Sequence, residues 1–122
     1  MKKVIILSII TVIALFSVST NAQSAKTIKL EQTTGDFSVH GLVLSEGDYV
    51  FEIANNGVDH EVGFVIAPKG HTDQAHHIKE GYVKEVVKDG KSSLTNVVKL
   101  KKGTYVYFCP LNPTPQYEIV VQ

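Results

Sequence analysis

Few of the 122 residues are thiol or imidazole donors: one cysteine, Cys109, and five histidines, His40, His60, His71, His76 and His77. Cys109 ends the run Thr104-Tyr105-Val106-Tyr107-Phe108-Cys109, and His60 follows the turn Asn55-Asn56-Gly57-Val58-Asp59 at the start of an apolar segment. A soft thiolate beside a neutral imidazole is the beginning of a copper or zinc site, because thiolate favours Cu(I) and Zn while imidazole suits both metals. The C-x-x-C regularity of a structural zinc site is absent. As nucleophile and base the pair lacks an orienting third group and an oxyanion site, so the sequence points away from an enzyme. A lone cysteine excludes an intramolecular disulfide. In an oxidising compartment such a thiol needs shielding, by burial or by a metal.

A metal centre built on this pair needs a third donor. After Cys109 the chain reads Pro110-Leu111-Asn112-Pro113-Thr114-Pro115-Gln116-Tyr117, with neither histidine nor methionine. Asn112 and Gln116 are the polar side chains available there, although a neutral amide is a hard and poor ligand for copper. The three prolines stiffen this loop and fix its path. His71, His76 and His77 lie in the connection from Pro68 to Gly81, long enough to fold over one pole of a sandwich. His40 lies on an early strand or its turn. Asp73 and His77 would share a helix face at i, i+4. The bland alternatives are a solvated histidine loop, a turn-capping His60 and a buried, small, apolar Cys109.

The elements that must hold these residues are strands. Met1-Lys2-Lys3, the apolar run Val4 to Val18 and the small-residue exit Ser19-Thr20-Asn21-Ala22 form a secretory signal peptide, with the cut after Ala22. The run is too short to span a membrane comfortably, and no cysteine lies near the cut to carry a lipid. The chain is therefore expected in a periplasm or outside the cell, as one domain over 23–122 with no membrane span. All 12 basic residues are lysines and they balance 12 acidic ones, which leaves no surplus for nucleic acid. After residue 23 the apolar residues alternate, with Gly, Asn and Asp clusters between the runs. Strands are expected near 27–32, 37–44, 48–55, 61–67, 82–87, 95–100, 104–109 and 116–121, with one short helix at 72–79. That pattern is an all-β Greek-key sandwich of seven or eight strands. Tyr49, Phe51 and Ile53 share one strand face, and Tyr105, Tyr107 and Cys109 another. Residues 104–109, apolar on both faces, read as a central strand.

The stretch Tyr49-Val50-Phe51-Glu52-Ile53-Ala54-Asn55-Asn56-Gly57-Val58-Asp59-His60-Glu61-Val62 resembles the first metal-histidine region of the cupredoxins, the small blue-copper family of plastocyanin, amicyanin and pseudoazurin. Leu100-Lys101-Lys102-Gly103-Thr104-Tyr105-Val106-Tyr107-Phe108-Cys109-Pro110 resembles the strand that delivers their copper cysteine. The resemblance implies a metal pole formed by loops at one end of the sandwich. His60 would then be the first copper histidine and Cys109 the thiolate. The family follows its cysteine with a second histidine and usually a methionine; Asn112 stands at the histidine position here, and Gln116 would serve as axial ligand. His40, His76 or His77 would supply the missing donor from outside the loop. The implied function is copper binding with electron transfer or copper delivery to a protein partner. The alternative is a metal-free cupredoxin fold that binds a partner.

Overall fold

The computed structural model describes residues 25–122; the predicted leader lies outside them. They form β1 (Lys26–Thr33), β2 (Asp36–Phe37), β3 (Leu42–Leu44), β4 (Gly47–Asn55), β5 (Val65–Pro68), β6 (Ser92–Leu94), β7 (Val98–Leu100), β8 (Gly103–Phe108) and β9 (Tyr117–Val121). One sheet runs β2-β1-β4-β6, with β7 also paired to β4; the other runs β3-β9-β8-β5. β1 lies parallel to β4 and β3 parallel to β9, and the remaining pairs are antiparallel. Parallel neighbours cannot be joined by a hairpin, so the chain must cross between sheets to make them. The result is the all-β sandwich expected from the alternation.

Period two explains the core. Along β4, Tyr49, Phe51, Ile53 and Asn55 are buried while the residues between them are only partly so. β8 is flanked by β5 and β9, as its two apolar faces require. Between the sheets, Phe37 meets Tyr107 edge-on with centroids 5.0 Å apart, and Phe64 tilts against Phe51 at 5.5 Å. Such aromatic pairs contribute beyond the area they bury.

Four segments depart from the expected strands, each because a side chain or a bridge takes the place of a ladder; in one, 95–100, only Val98–Leu100 is a strand, Thr95 makes an isolated bridge and Ser92–Leu94 forms a strand ahead of it. The 37–44 segment is interrupted after Phe37: the Tyr107 hydroxyl donates to the Val39 carbonyl at 2.6 Å and accepts from the Gly41 amide at 3.0 Å. The 61–67 segment becomes regular only at Val65, because Gly63 gives its amide to Cys109 and its carbonyl to Gln32. Residues 82–87 make no ladder, only isolated bridges from Val83 to Thr95 and from Val87 to Val62. The 72–79 segment forms two short 3-10 turns, Gln74–His76 and Lys79–Gly81, in place of a helix. Ile78 donates its amide to the Ile66 carbonyl of β5, and this holds the intervening backbone extended.

Candidate metal centre

Cys109 immediately follows β8 and is 1% exposed. Its Sγ accepts two backbone N–H bonds at 3.2 Å, from Gly63 and from Asn112. The post-cysteine loop is closed by the Cys109 amide donating to Thr114 Oγ1 at 3.1 Å. Hydrogen bonds to a cysteine sulfur are one of the levers that tune a metal thiolate.

Asn112 spends its whole side chain within the protein. Its Nδ2 donates to Gln32 Oε1 at 3.1 Å and to the Thr33 carbonyl at 2.9 Å, and its Oδ1 accepts from the Gly35 amide at 2.7 Å. Gln32 Nε2 in turn donates to the Gly63 carbonyl at 2.7 Å. Gly63, Cys109, Asn112 and Gln32 therefore form a closed buried ring of hydrogen bonds. Gln32 and Gly63 went unremarked in the sequence. A signal existed for Gln32, which follows Ile28 and Leu30 on the inward face of β1 and so places an amide where an apolar residue is the rule. For Gly63 no sequence signal existed.

His60 belongs to a turn held by Asn55. The Asn55 Nδ2 donates to the His60 carbonyl at 2.9 Å and to the Val87 carbonyl at 3.1 Å, while Oδ1 accepts from Val58 at 2.9 Å. The turn leads directly into Gly63, so the segment bearing His60 meets the cysteine at one pole of the sandwich. Its imidazole is exposed, with Nδ1 3.0 Å from the Glu61 carbonyl.

The other candidates are dispersed. His40 stacks on Tyr117 with centroids 4.5 Å apart and puts Nε2 3.2 Å from Asp36 Oδ2. The Tyr117 hydroxyl donates to Asp36 Oδ1 at 2.5 Å. That bond holds the Asp36 carboxyl below its usual range and pushes Tyr117 up to about 12. Burial raises Tyr107 as well. His77 uses both ring nitrogens, at 2.8 Å from the Tyr82 hydroxyl and 2.9 Å from the Thr72 carbonyl. His76 pairs with Asp73. Gln116 is exposed and lines a shallow groove with His40, Tyr117 and Glu118.

The family model of the cupredoxin-like domain matches residues 5–121. The chain belongs to the cupredoxin-like family. Solved structures similar to it include auracyanin A, titled a "blue" copper protein, from the bacterium Chloroflexus aurantiacus, at 16% identity and a TM-score of 0.66, covering 81% of this chain and 100% of that one. A dithionite-reduced auracyanin from Roseiflexus castenholzii is 13% identical over 80% of this chain and 98% of that one, with a TM-score of 0.61. An azurin from Methylomonas sp. strain J is 13% identical over 81% and 99%, with a TM-score of 0.58. At such identities the likeness is one of fold. No curated protein matches.

A blue-copper centre of this cupredoxin-like fold takes two imidazoles and a thiolate around one ion. Among the described residues no three of His, Cys, Asp and Glu converge closely enough to hold a metal, and the amide at the loop position is saturated. The residues do not fit that three-donor set. What the pole offers a soft ion is one sulfur and one imidazole-bearing turn, a donor pair chemically suited to Cu(I).

Proposed function

We propose that this cupredoxin-like protein is exported and handles copper at the Cys109 pole, with Cys109 as the sulfur donor and His60 as the imidazole, and that it delivers the ion or an electron to a protein partner without catalysing a reaction. The observation that carries the reading is the bond from the Gly63 amide to the Cys109 sulfur, which brings the turn bearing His60 to the cysteine. Copper bound there would supply one-electron chemistry. The protein's part is to keep the sulfur dry, to hold it with two amide donors, and to offer an imidazole exposed to solvent. No helix among the described residues is long and apolar enough to cross a membrane.

Titration of Cu(I) against a competing chromophoric chelator tests it. The expected result is one Cu(I) per chain, lost in Cys109→Ala and weakened at least tenfold in His60→Ala. A parent protein that takes no Cu(I) overturns the proposal. A second reading, a metal-free partner-binding module, is favoured by the saturated Asn112 amide and the doubly bonded sulfur. It predicts a colourless protein with a free thiol and no copper uptake in the same titration.

A further inference from the structure

A different pair of imidazoles meets on the connection after β5. His71 and His76 place their ring centroids 5.1 Å apart at an interplanar angle of 42°. With a metal–nitrogen bond of about 2 Å, two imidazoles sharing one tetrahedral ion would hold their ring centres about 5 Å apart. The Asp73 carboxylate sits 2.9 and 2.8 Å from the Nδ1 of His76. That is the outer carboxylate that fixes the tautomer of a ligating histidine and leaves Nε2 free for a metal. Both rings stand on tied turns, since the His71 amide donates to Pro68 and the His76 amide to Asp73, each at 2.9 Å.

We propose that His71 and His76 form a two-imidazole capture site for a divalent first-row cation, Zn(II) or Cu(II), with Asp73 orienting His76 and water completing the shell. The site shares no donor with the cysteine pole: His71 follows the turn after Pro68, which pairs with Tyr105 at the end of β8 remote from Cys109, while His77, next to His76, lies against Phe108. Neighbouring His77 contributes no donor, because both of its nitrogens are engaged. Two imidazoles with water make a modest, exchangeable site, suited to collecting ions at an exposed surface. The inference does not rest on the copper reading above.

Calorimetric titration of Zn(II) into tag-free protein tests it, alongside nitrogen-15 spectra of the histidine rings. One zinc per chain is expected, with ring signals of His71 and His76 shifting together. His71→Ala and His76→Ala should each weaken binding tenfold or more. Asp73→Asn should weaken it about tenfold, and His40→Ala, whose ring stacks on Tyr117, should leave it unchanged. Zinc affinity unaltered by His71→Ala or by His76→Ala, absence of binding by the parent, or loss on His40→Ala in their place would overturn the proposal.

Discussion

Asn112 shows how one residue's chemistry decides the character of the pole. An amide both donates and accepts, so it can join β1, the β1–β2 turn and the post-cysteine loop at once; an imidazole in one protonation state cannot make all three bonds. Asn112→Ala would strand Gln32 Oε1, the Thr33 carbonyl and the Gly35 amide. The expected loss is about 3 kcal/mol by urea unfolding, since each unsatisfied buried group costs about 1–3 kcal/mol. Cys109→Ala would likewise leave the Gly63 and Asn112 amides without an acceptor, and Cys109→Ser, which keeps one, should retain more stability than Cys109→Ala in the same assay. The Asp36–Tyr117 bond has a definite pH signature. Tyr117 is raised above its ordinary 10.0, so its contribution is complete below that value and fades as pH climbs through about 12. Asp36 is lowered from 3.8, so its contribution holds above 3.8 and fades as pH falls through the depressed value. Asp36→Asn should flatten both arms of the stability profile and bring the tyrosinate absorbance transition of Tyr117 back toward 10.

At the level of strands, the interruptions matter as much as the ladders. β4 pairs with β7 at one end and β6 at the other, and the gap between them is spanned by Thr95. Its Oγ1 accepts from the Phe51 amide at 3.0 Å and donates to the Asn96 carbonyl at 2.7 Å, while its own amide donates to the Phe51 carbonyl at 2.9 Å. Thr95→Val keeps the shape and removes the acceptor, with an expected cost of about 1–3 kcal/mol and faster hydrogen exchange at Phe51. Such devices mark where sequence reading stops. β1, β4, β8 and β9 were legible within a residue or so because each alternates cleanly against one core. The breaks at Val39, Gly63 and Thr95 were not, because each depends on a side chain distant in sequence taking over a backbone partner. The β-branched Val83, Val86 and Val87 suit a strand, yet only Val83 and Val87 pair, each in an isolated bridge, which residue type cannot distinguish from a ladder.

For the molecule as a whole, early and late segments are bound together: β3 pairs in parallel with the last strand, and β1 supplies Gln32 to the loop after β8. The pole is therefore complete only when both ends of the domain are in place. That the turn of His60 and the cysteine belong to one pole was legible from residue types and resemblance; the destination of the Asn112 amide was not, because its partners lie far back in the chain. One practical consequence concerns the sulfur, buried and held by two amides. An alkylating reagent can reach it only when the loop or the Gly63 segment lifts away, so the labelling rate of Cys109 under native conditions measures how often the pole opens. Gln32→Ala, which removes one of the two bonds between β1 and the loop, and the bond to Gly63, without touching the thiol, should speed that labelling more than it lowers the unfolding midpoint. The cysteine thus serves as a built-in stopwatch for local breathing, needing no added probe.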